Sequence, residues 1–322
     1  MAYSGEILRR ARARLAAQKA ENEQAEAARI AEVYEKYPRL REIDHAMRAT
    51  MARVVAASFR RGEDPTAAVE QAKQENLKLQ QERSWILEAA DLGEDYLDPV
   101  PVCPECGGSG YIGARMCACL ASLCRDEQRK ALSSLLHGSE SFDNFRLDLY
   151  PDTPDARLGA SPRRIMGIVL HQCRNYAAQF GPQSGSLLFS GDPGLGKTYL
   201  SACIARAVIA RGASVVYETA VTVFSDFENE KFGRPGGGTE KYLACDLLII
   251  DDLGTEMTTQ MSISALYTIL NSRLMAGRPT IISTNLTMEE MERRYTPQII
   301  SRLRGACTCL RFYGEDIRQM PH

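Results

Sequence analysis

In the first third of the chain, apolar positions recur at steps of three and four. Leu40, Ile43, Met47, Met51 and Val54 line one face of a predicted helix that Arg61-Gly62 ends. Asp64-Pro65 then supplies an N-cap and an N1 proline for a second helix, which runs toward Leu87 and closes near Gly93. Two helices joined by so short a turn form an antiparallel hairpin, too small for an enzyme and suited to docking on a partner or on its own chain. Residues 1–30 are rich in Ala, Glu, Gln and Arg with little to bury, which predicts an exposed helix or a partly disordered arm. From about Phe142 the pattern changes. SLLFS, SVVYET, DLLIID, PTIIST and CLRFY are short β-branched or aromatic runs separated by helix-length segments, the pattern of a buried, mostly parallel sheet with helices on both faces. A helical linker is expected from Arg125 to Leu136 and a mobile loop at GRPGGGTEKY, near residue 235. The fold class is therefore α/β, preceded by an all-helical region.

At 322 residues and 44% hydrophobic, the chain has room for one full α/β domain and something smaller. No run of about 18 apolar residues occurs, and the N-terminus MAYSGEILRRARARLAAQKAENE is charged where a signal peptide needs an apolar segment. A cytoplasmic protein with no membrane partner is expected. The net charge of -2 gives no global drive toward nucleic acid, although residues 1–62 hold 13 Lys+Arg against 8 Asp+Glu, which reads as a solvated helix face.

Between the strand SLLFS and the helix TYLSACIARAV lies GDPGLGKT, which fits the phosphate-binding Walker A pattern. Gly191, Asp192, Pro193, Gly194, Leu195, Gly196, Lys197 and Thr198 form the loop. Its glycines let backbone N–H groups turn around phosphate oxygens, Lys197 neutralises the β and γ phosphates, and Thr198 can ligate Mg²⁺. The second half of an ATP site should be an acid at the end of an apolar strand, and CDLLIIDDLGTE supplies Asp251, placed to hold Mg²⁺ through water. Asp252 can orient or deprotonate the attacking water, with a shorter reach than glutamate; two adjacent acids can also cap a following helix. PTIISTN ends in Asn285, which can meet the γ phosphate or the lytic water, or simply form a turn. Arg302 and Arg304 follow an apolar helix turn, and Arg318 lies near the end. An arginine so placed can reach a neighbouring subunit's nucleotide, or be solvated.

Five of the ten cysteines fall within CPECGGSGYIGARMCACLASLC, residues 103–124. In a reducing compartment such a cluster favours metal or redox chemistry over disulfides. Cys103 and Cys106 form a CxxC, Cys117 and Cys119 a CxC, and the four suit one structural Zn²⁺. Cys124 is an alternative to Cys119. A thioredoxin-like pair would need a surrounding βαβ pattern, which is missing. Cys173, Cys203, Cys245, Cys307 and Cys309 are expected as small core residues.

Taken in order, GDPGLGKT, DLLIIDDLGTE, IISTN, IISRLRG and GEDIR resemble the AAA+ ATPase domain of bacterial replicative helicase loaders of the DnaC and DnaI type, a group also similar to the IstB transposition helper. The resemblance covers about residues 140–318. Upstream, helices followed by the cysteine module resemble the DnaI-like loaders and their phage relatives, and FDNFRLDLYPD resembles the segment that opens the ATPase domain. The resemblance implies that helices and cysteine module hold the hexameric replicative helicase. It implies a P-loop domain that binds ATP, forms homo-oligomers when ATP-bound, and contacts single-stranded DNA. Asn285 then matches sensor 1, Arg302 the arginine finger and Arg318 sensor 2. Only Gln, Met, Pro and His follow Arg318, so a largely absent lid is expected, and Pro297-Gln298 stand where relatives often carry an arginine. The ATPase is accordingly expected to be slow and partner-dependent. The expected division is a helical region over 1–100, a Cys₄ zinc module over 101–126 and the AAA+ domain over 138–322. Two other readings are an IstB-like transposase helper and a non-hydrolysing, ATP-gated adaptor.

Overall fold

A computed structural model describes residues 3–58, 66–135, 140–234 and 238–319. The chain forms two compact units, one of residues 14–117 and one of residues 1–13 with 118–322.

Helix α1 spans Gly5–Lys36, α2 Pro38–Ser58 and α3 Thr66–Ala89. The N-terminal segment is thus helical, polar over most of its surface, with Ile7, Ala11, Leu15 and Val33 buried. In the unit of residues 14–117, Val33, Leu40, Leu87 and Leu97 form a small core. The hairpin of α2 and α3 is laced by Arg39–Glu82 at 2.7 Å, Arg53–Glu75 at 2.6 Å and the half-buried Arg83–Asp44 pair at 3.1 Å. Leu40 and Ile43 are fully buried as the periodicity predicts. The side chains of Met51 and Val54, and the turn signals Arg61-Gly62 and Asp64-Pro65, lie outside the described residues. Helix α3 ends at Ala89, short of Gly93: Asp91 takes φ +56°, and Leu92 N–H reaches back to Leu87 O at 2.9 Å, a left-handed helix end. Strands β1 (Tyr111–Ile112) and β2 (Arg115–Met116) pair as a minimal antiparallel hairpin.

In the other unit, α4 (Ala118–Leu135) and α5 (Pro162–Ala178) precede a five-stranded sheet. Its elements are β3 (Ser186–Ser190), α6 (Lys197–Ala210), β4 (Val215–Thr219), α7 (Ala220–Lys231), α8 (Glu240–Ala244), β5 (Leu247–Leu253), α9 (Gln260–Met275), β6 (Thr280–Thr284), α10 (Met288–Arg294), α11 (Pro297–Ala306) and β7 (Cys307–Arg311). Residues 235–237, within the expected loop, lie outside the described residues. All strand pairs are parallel, in the order β4-β5-β6-β3-β7. Side chains alternate between the two faces. Leu187, Phe189, Ile249 and Ile281 pack with α5 and α6, while Leu188, Leu248, Ile250 and Ile282 pack with α7, α9 and α11. Because β6 lies between β3 and β5, the loops after all three strands converge at one carboxyl edge, where ligands bind parallel sheets.

Strand β7 begins at Cys307, two residues before the predicted run, and lies at the sheet edge. Cys309 is exposed there and Cys307 half-buried, which corrects the expectation that both are core residues; Cys173, Cys203 and Cys245 are buried. Arg273 of α9 is only 1% exposed. It donates to Thr280 Oγ1 at 2.9 Å and to the carbonyls of Tyr242, Cys245 and Pro279 at 2.8, 3.0 and 2.6 Å. One guanidinium fork so ties α9 to the segments that start β5 and β6.

Candidate functional site

Strand β3 delivers the chain into GDPGLGKT at the carboxyl edge. Gly191 and Gly194 take φ of +148° and +78°, and both are tightly enclosed. A Cβ at Gly191 would lie 2.5 Å from the Phe312 carbonyl oxygen, and one at Gly194 1.7 Å from Asp316 Oδ1. The segment after β7 is therefore laid against the loop. Phe312 N–H donates to Ser190 O at 2.8 Å and Ile317 N–H to Gly194 O at 3.2 Å. From FDNFRLDLYPD, the buried Tyr150 donates to Leu195 O at 2.9 Å, and Phe145 stacks on its ring at 5.8 Å between centroids. Asp192 and Pro193 are exposed.

A cavity of about 910 Å³ opens over the loop. Pro193 to Thr198 line it together with Asp252, Asn285 and Arg318, and Phe145, Tyr150 and Tyr199 give it an aromatic wall. Helix α6 starts at Lys197, within the loop's last two residues, so its unbonded first-turn N–H groups and partial positive charge suit an anion. Lys197 is only 5% exposed. Its Nζ donates to Gly191 O at 2.6 Å and Asp192 O at 2.7 Å. Burial lowers its pKa, while Asp252, Asp251 and Asp192 pull the other way.

The two acids part company at a bulge, where the β5–β6 register slips between Ile250 and Leu253 and Asp252 adopts φ +55°. Asp252 faces the cavity. Asp251 is 5% exposed, and its carboxylate accepts from Tyr217 OH at 2.8 Å and from the Ser283 hydroxyl. Burial, and secondarily the charge of Asp251, hold the Asp252 carboxyl above the ordinary carboxylate value; Lys197 and Arg318 oppose this.

Arg302 is not brought into this cavity. On α11, its guanidinium lies 4.5 Å from the Tyr267 ring centroid and donates to Asn271 Oδ1 at 2.7 Å. Arg304 pairs with Glu292 at an exposed position. Arg318 sits in a short 3₁₀ turn at the cavity wall, its N–H held by Asp316 Oδ1 at 3.0 Å.

The cysteines meet in a second place. One Sγ each from Cys103, Cys106, Cys117 and Cys119 lie within 4.8 Å of one another. Cys103 Sγ and Cys117 Sγ are 3.7 Å apart. That is too far for a disulfide of about 2.05 Å. It matches the ligand separation of about 3.8 Å that Zn–S bonds of about 2.3 Å give in a tetrahedron. The Gly110 N–H points at Cys106 Sγ at 3.3 Å, the type of contact that orients a thiolate ligand. Cys124 is outside the group, and burial pushes its thiol up to about 11. These four residues fit a structural zinc.

Residues 176–320 match the model of the IstB-like ATP binding protein family. The replicative helicase loader DnaC of Escherichia coli K12 is 30% identical over 173 residues, 52% of this chain and 64% of that protein. Over residues 176–320 the chain is therefore similar to the IstB-like ATP binding proteins and to DnaC. DnaC of Buchnera aphidicola subsp. Acyrthosiphon pisum is 28% identical over 156 residues, 47% of this chain and 63% of that protein. The chain thus spans less than two thirds of the length of these relatives. Among solved structures, the DnaC helicase loader is similar at 21% identity and a TM-score of 0.44, over 53% of this chain and 98% of that one. DnaI is similar at 22% and 0.43, over 59% and 93%.

The glycine-rich loop, Asp252, Asn285 and Arg318 line one cavity, and Asp251, next to Asp252 in the chain, is buried. Motif reading missed Tyr217 and Ser283, which hold Asp251, and the aromatic wall of Phe145, Tyr150 and Tyr199. Only the aromatics of FDNFRLDLYPD gave a local signal for that wall.

Proposed function

We propose that the protein is an ATP-dependent loader of the replicative DNA helicase onto single-stranded DNA, acting in replication initiation or restart. The convergence of Walker A loop, acidic strand end and polar strand end in a DnaC-like domain carries this reading. The phosphates of ATP bind the N–H groups of residues 191–198, and Lys197 exchanges its two carbonyl partners for β and γ phosphate oxygens. Thr198, and Asp251 through water, are the residues that would hold a Mg²⁺, which would supply charge neutralisation for the phosphates. Water attacks the γ phosphorus as the bond to the β-phosphate bridging oxygen breaks, and its proton passes to Asp252. Asn285 orients that water or the γ phosphate, and Arg318 senses the nucleotide. Arg302 lies outside its own chain's cavity, which supports a role at the nucleotide of a neighbouring copy.

In this reading residues 1–100 and the zinc module over 101–126 hold the helicase, and residues 138–322 are a cytoplasmic motor whose turnover is slow without its partners. Among the described residues no helix is long and apolar enough to cross a membrane. ATP turnover in the presence of the cognate hexameric helicase and single-stranded DNA tests the motor. Turnover should fall in Asp252→Asn and Arg302→Ala. A wild type with no turnover under those conditions points to the ATP-gated adaptor instead. The IstB-like match favours the transposase helper as second reading; preference for duplex over single-stranded DNA would select it.

A further inference from the structure

The hydroxyl of Ser283 joins the two acids of β5. Ser283 lies on β6, has no exposed surface and stands two residues before Asn285. Its Oγ donates to Asp251 Oδ1 and accepts from the Asp252 backbone N–H at 2.9 Å. A hydroxyl has one proton to give and lone pairs to receive, so one side chain serves both neighbours at once. The other oxygen of Asp251 is taken by Tyr217 OH at 2.8 Å. Asp251 is therefore fixed from two strands, β4 and β6, that flank its own.

Asp252 needs such support. It holds φ +55°, a left-handed conformation that a non-glycine residue adopts rarely, at the bulge where the β5–β6 ladder slips. At this point the ladder gives way to a side-chain bond, that from Asp252 N–H to Ser283. A conformation of this kind persists only where its surroundings over-determine it.

We propose that Ser283 is a positioning residue of the nucleotide site: by bonding Asp251 and the Asp252 N–H together, it holds Asp252 in the left-handed turn that faces its carboxylate into the cavity. Tyr217 completes the clamp by fixing Asp251. The proposal deepens the reading given above and rests on Asp252 serving ATP hydrolysis. A residue that acts through Asp252 has nothing left to position once that carboxylate is removed, which separates it from one that merely stabilises the fold.

The test compares wild type, Ser283→Ala, Ser283→Thr, Asp252→Asn and the Ser283→Ala/Asp252→Asn double variant as full chains, with helicase and single-stranded DNA present. Ser283→Ala should lower kcat about ten- to a hundredfold, the scale of a small misplacement of a reacting group. It should leave the dissociation constant of a fluorescent ATP analogue within about threefold, and Ser283→Thr, which keeps the hydroxyl, should recover most of the rate. In the Asp252→Asn background Ser283→Ala should cost nothing further. An undiminished kcat in Ser283→Ala overturns the proposal, and so does an equal loss in both backgrounds. Amide hydrogen exchange at Asp252 reads the same bond without turnover. Protection in wild type that is lost in Ser283→Ala supports the clamp, and an unprotected wild-type amide overturns it. Absence of wild-type turnover sinks the ATPase reading and leaves the amide measurement to decide on the clamp.

Discussion

Asp252 sits where its charge is penalised, by burial first and by the Asp251 carboxylate beside it second. A base must be deprotonated to work, so a raised pKa means that activity is lost early as pH falls. We expect kcat/KM for ATP to rise with pH along an acid limb that lies above the ordinary aspartate value, and that limb should vanish in Asp252→Asn. An acid limb in the ordinary aspartate range would contradict the assignment. Lys197 is buried and held by two loop carbonyls. Its replacement by alanine is expected to weaken ATP binding by about tenfold or more, the scale of a lost charged hydrogen bond, in a fluorescent-nucleotide titration. These residues were legible because GDPGLGKT and IIDD are contiguous and each type has a local task. Tyr217 and Ser283 were not, because their role depends on which strands become neighbours of β5, and strand pairing leaves no mark at either position.

Among elements, α4 explains the choice of fourth thiol that spacing left open. Cys119 is in the first turn of this helix, and Cys124, five residues on, points about 140° away around the axis. Full chain purified without chelator should carry about one zinc. Cys119→Ser should lose it and Cys124→Ser keep it by metal analysis; the reverse result would refute the Cys103–Cys106–Cys117–Cys119 site. The buried Arg273 makes a second prediction. Its loss removes hydrogen bonds from the Thr280 hydroxyl and three carbonyls, and Arg273→Leu should lower stability by about 3 kcal/mol or more in urea denaturation, at roughly 1.5–3 kcal/mol for each hydrogen bond to a charged group. The strands of the sheet and the α2–α3 hairpin were readable from periodicity. The early start of β7 was not, since CTC carries no β-branched or aromatic run apart from its threonine and enters the sheet only through pairing with β3.

At the scale of the whole molecule, the chain holds a largely helical unit over residues 14–117 and an α/β unit whose residues 176–320 are similar to the IstB-like ATP binding proteins. No motif in the first hundred residues announces a partner; an amphipathic hairpin has the same pattern whatever it docks on. That Arg302 packs on Tyr267 and Asn271, away from its own cavity, makes a prediction about copies. Lys197→Ala and Arg302→Ala chains, each inactive alone, should regain partial ATP turnover when mixed, because a mixed interface can combine an intact loop with an intact arginine. No recovery on mixing would place the function of Arg302 within its own chain. The central claim is tested most directly by loading itself: the cognate hexameric helicase, circular single-stranded DNA and ATP, with helicase on the DNA measured with and without this protein. Wild type is expected to raise DNA-bound helicase severalfold in an ATP-dependent manner and Lys197→Ala to fail; loading unchanged by wild type, or supported equally by Lys197→Ala, would contradict the account.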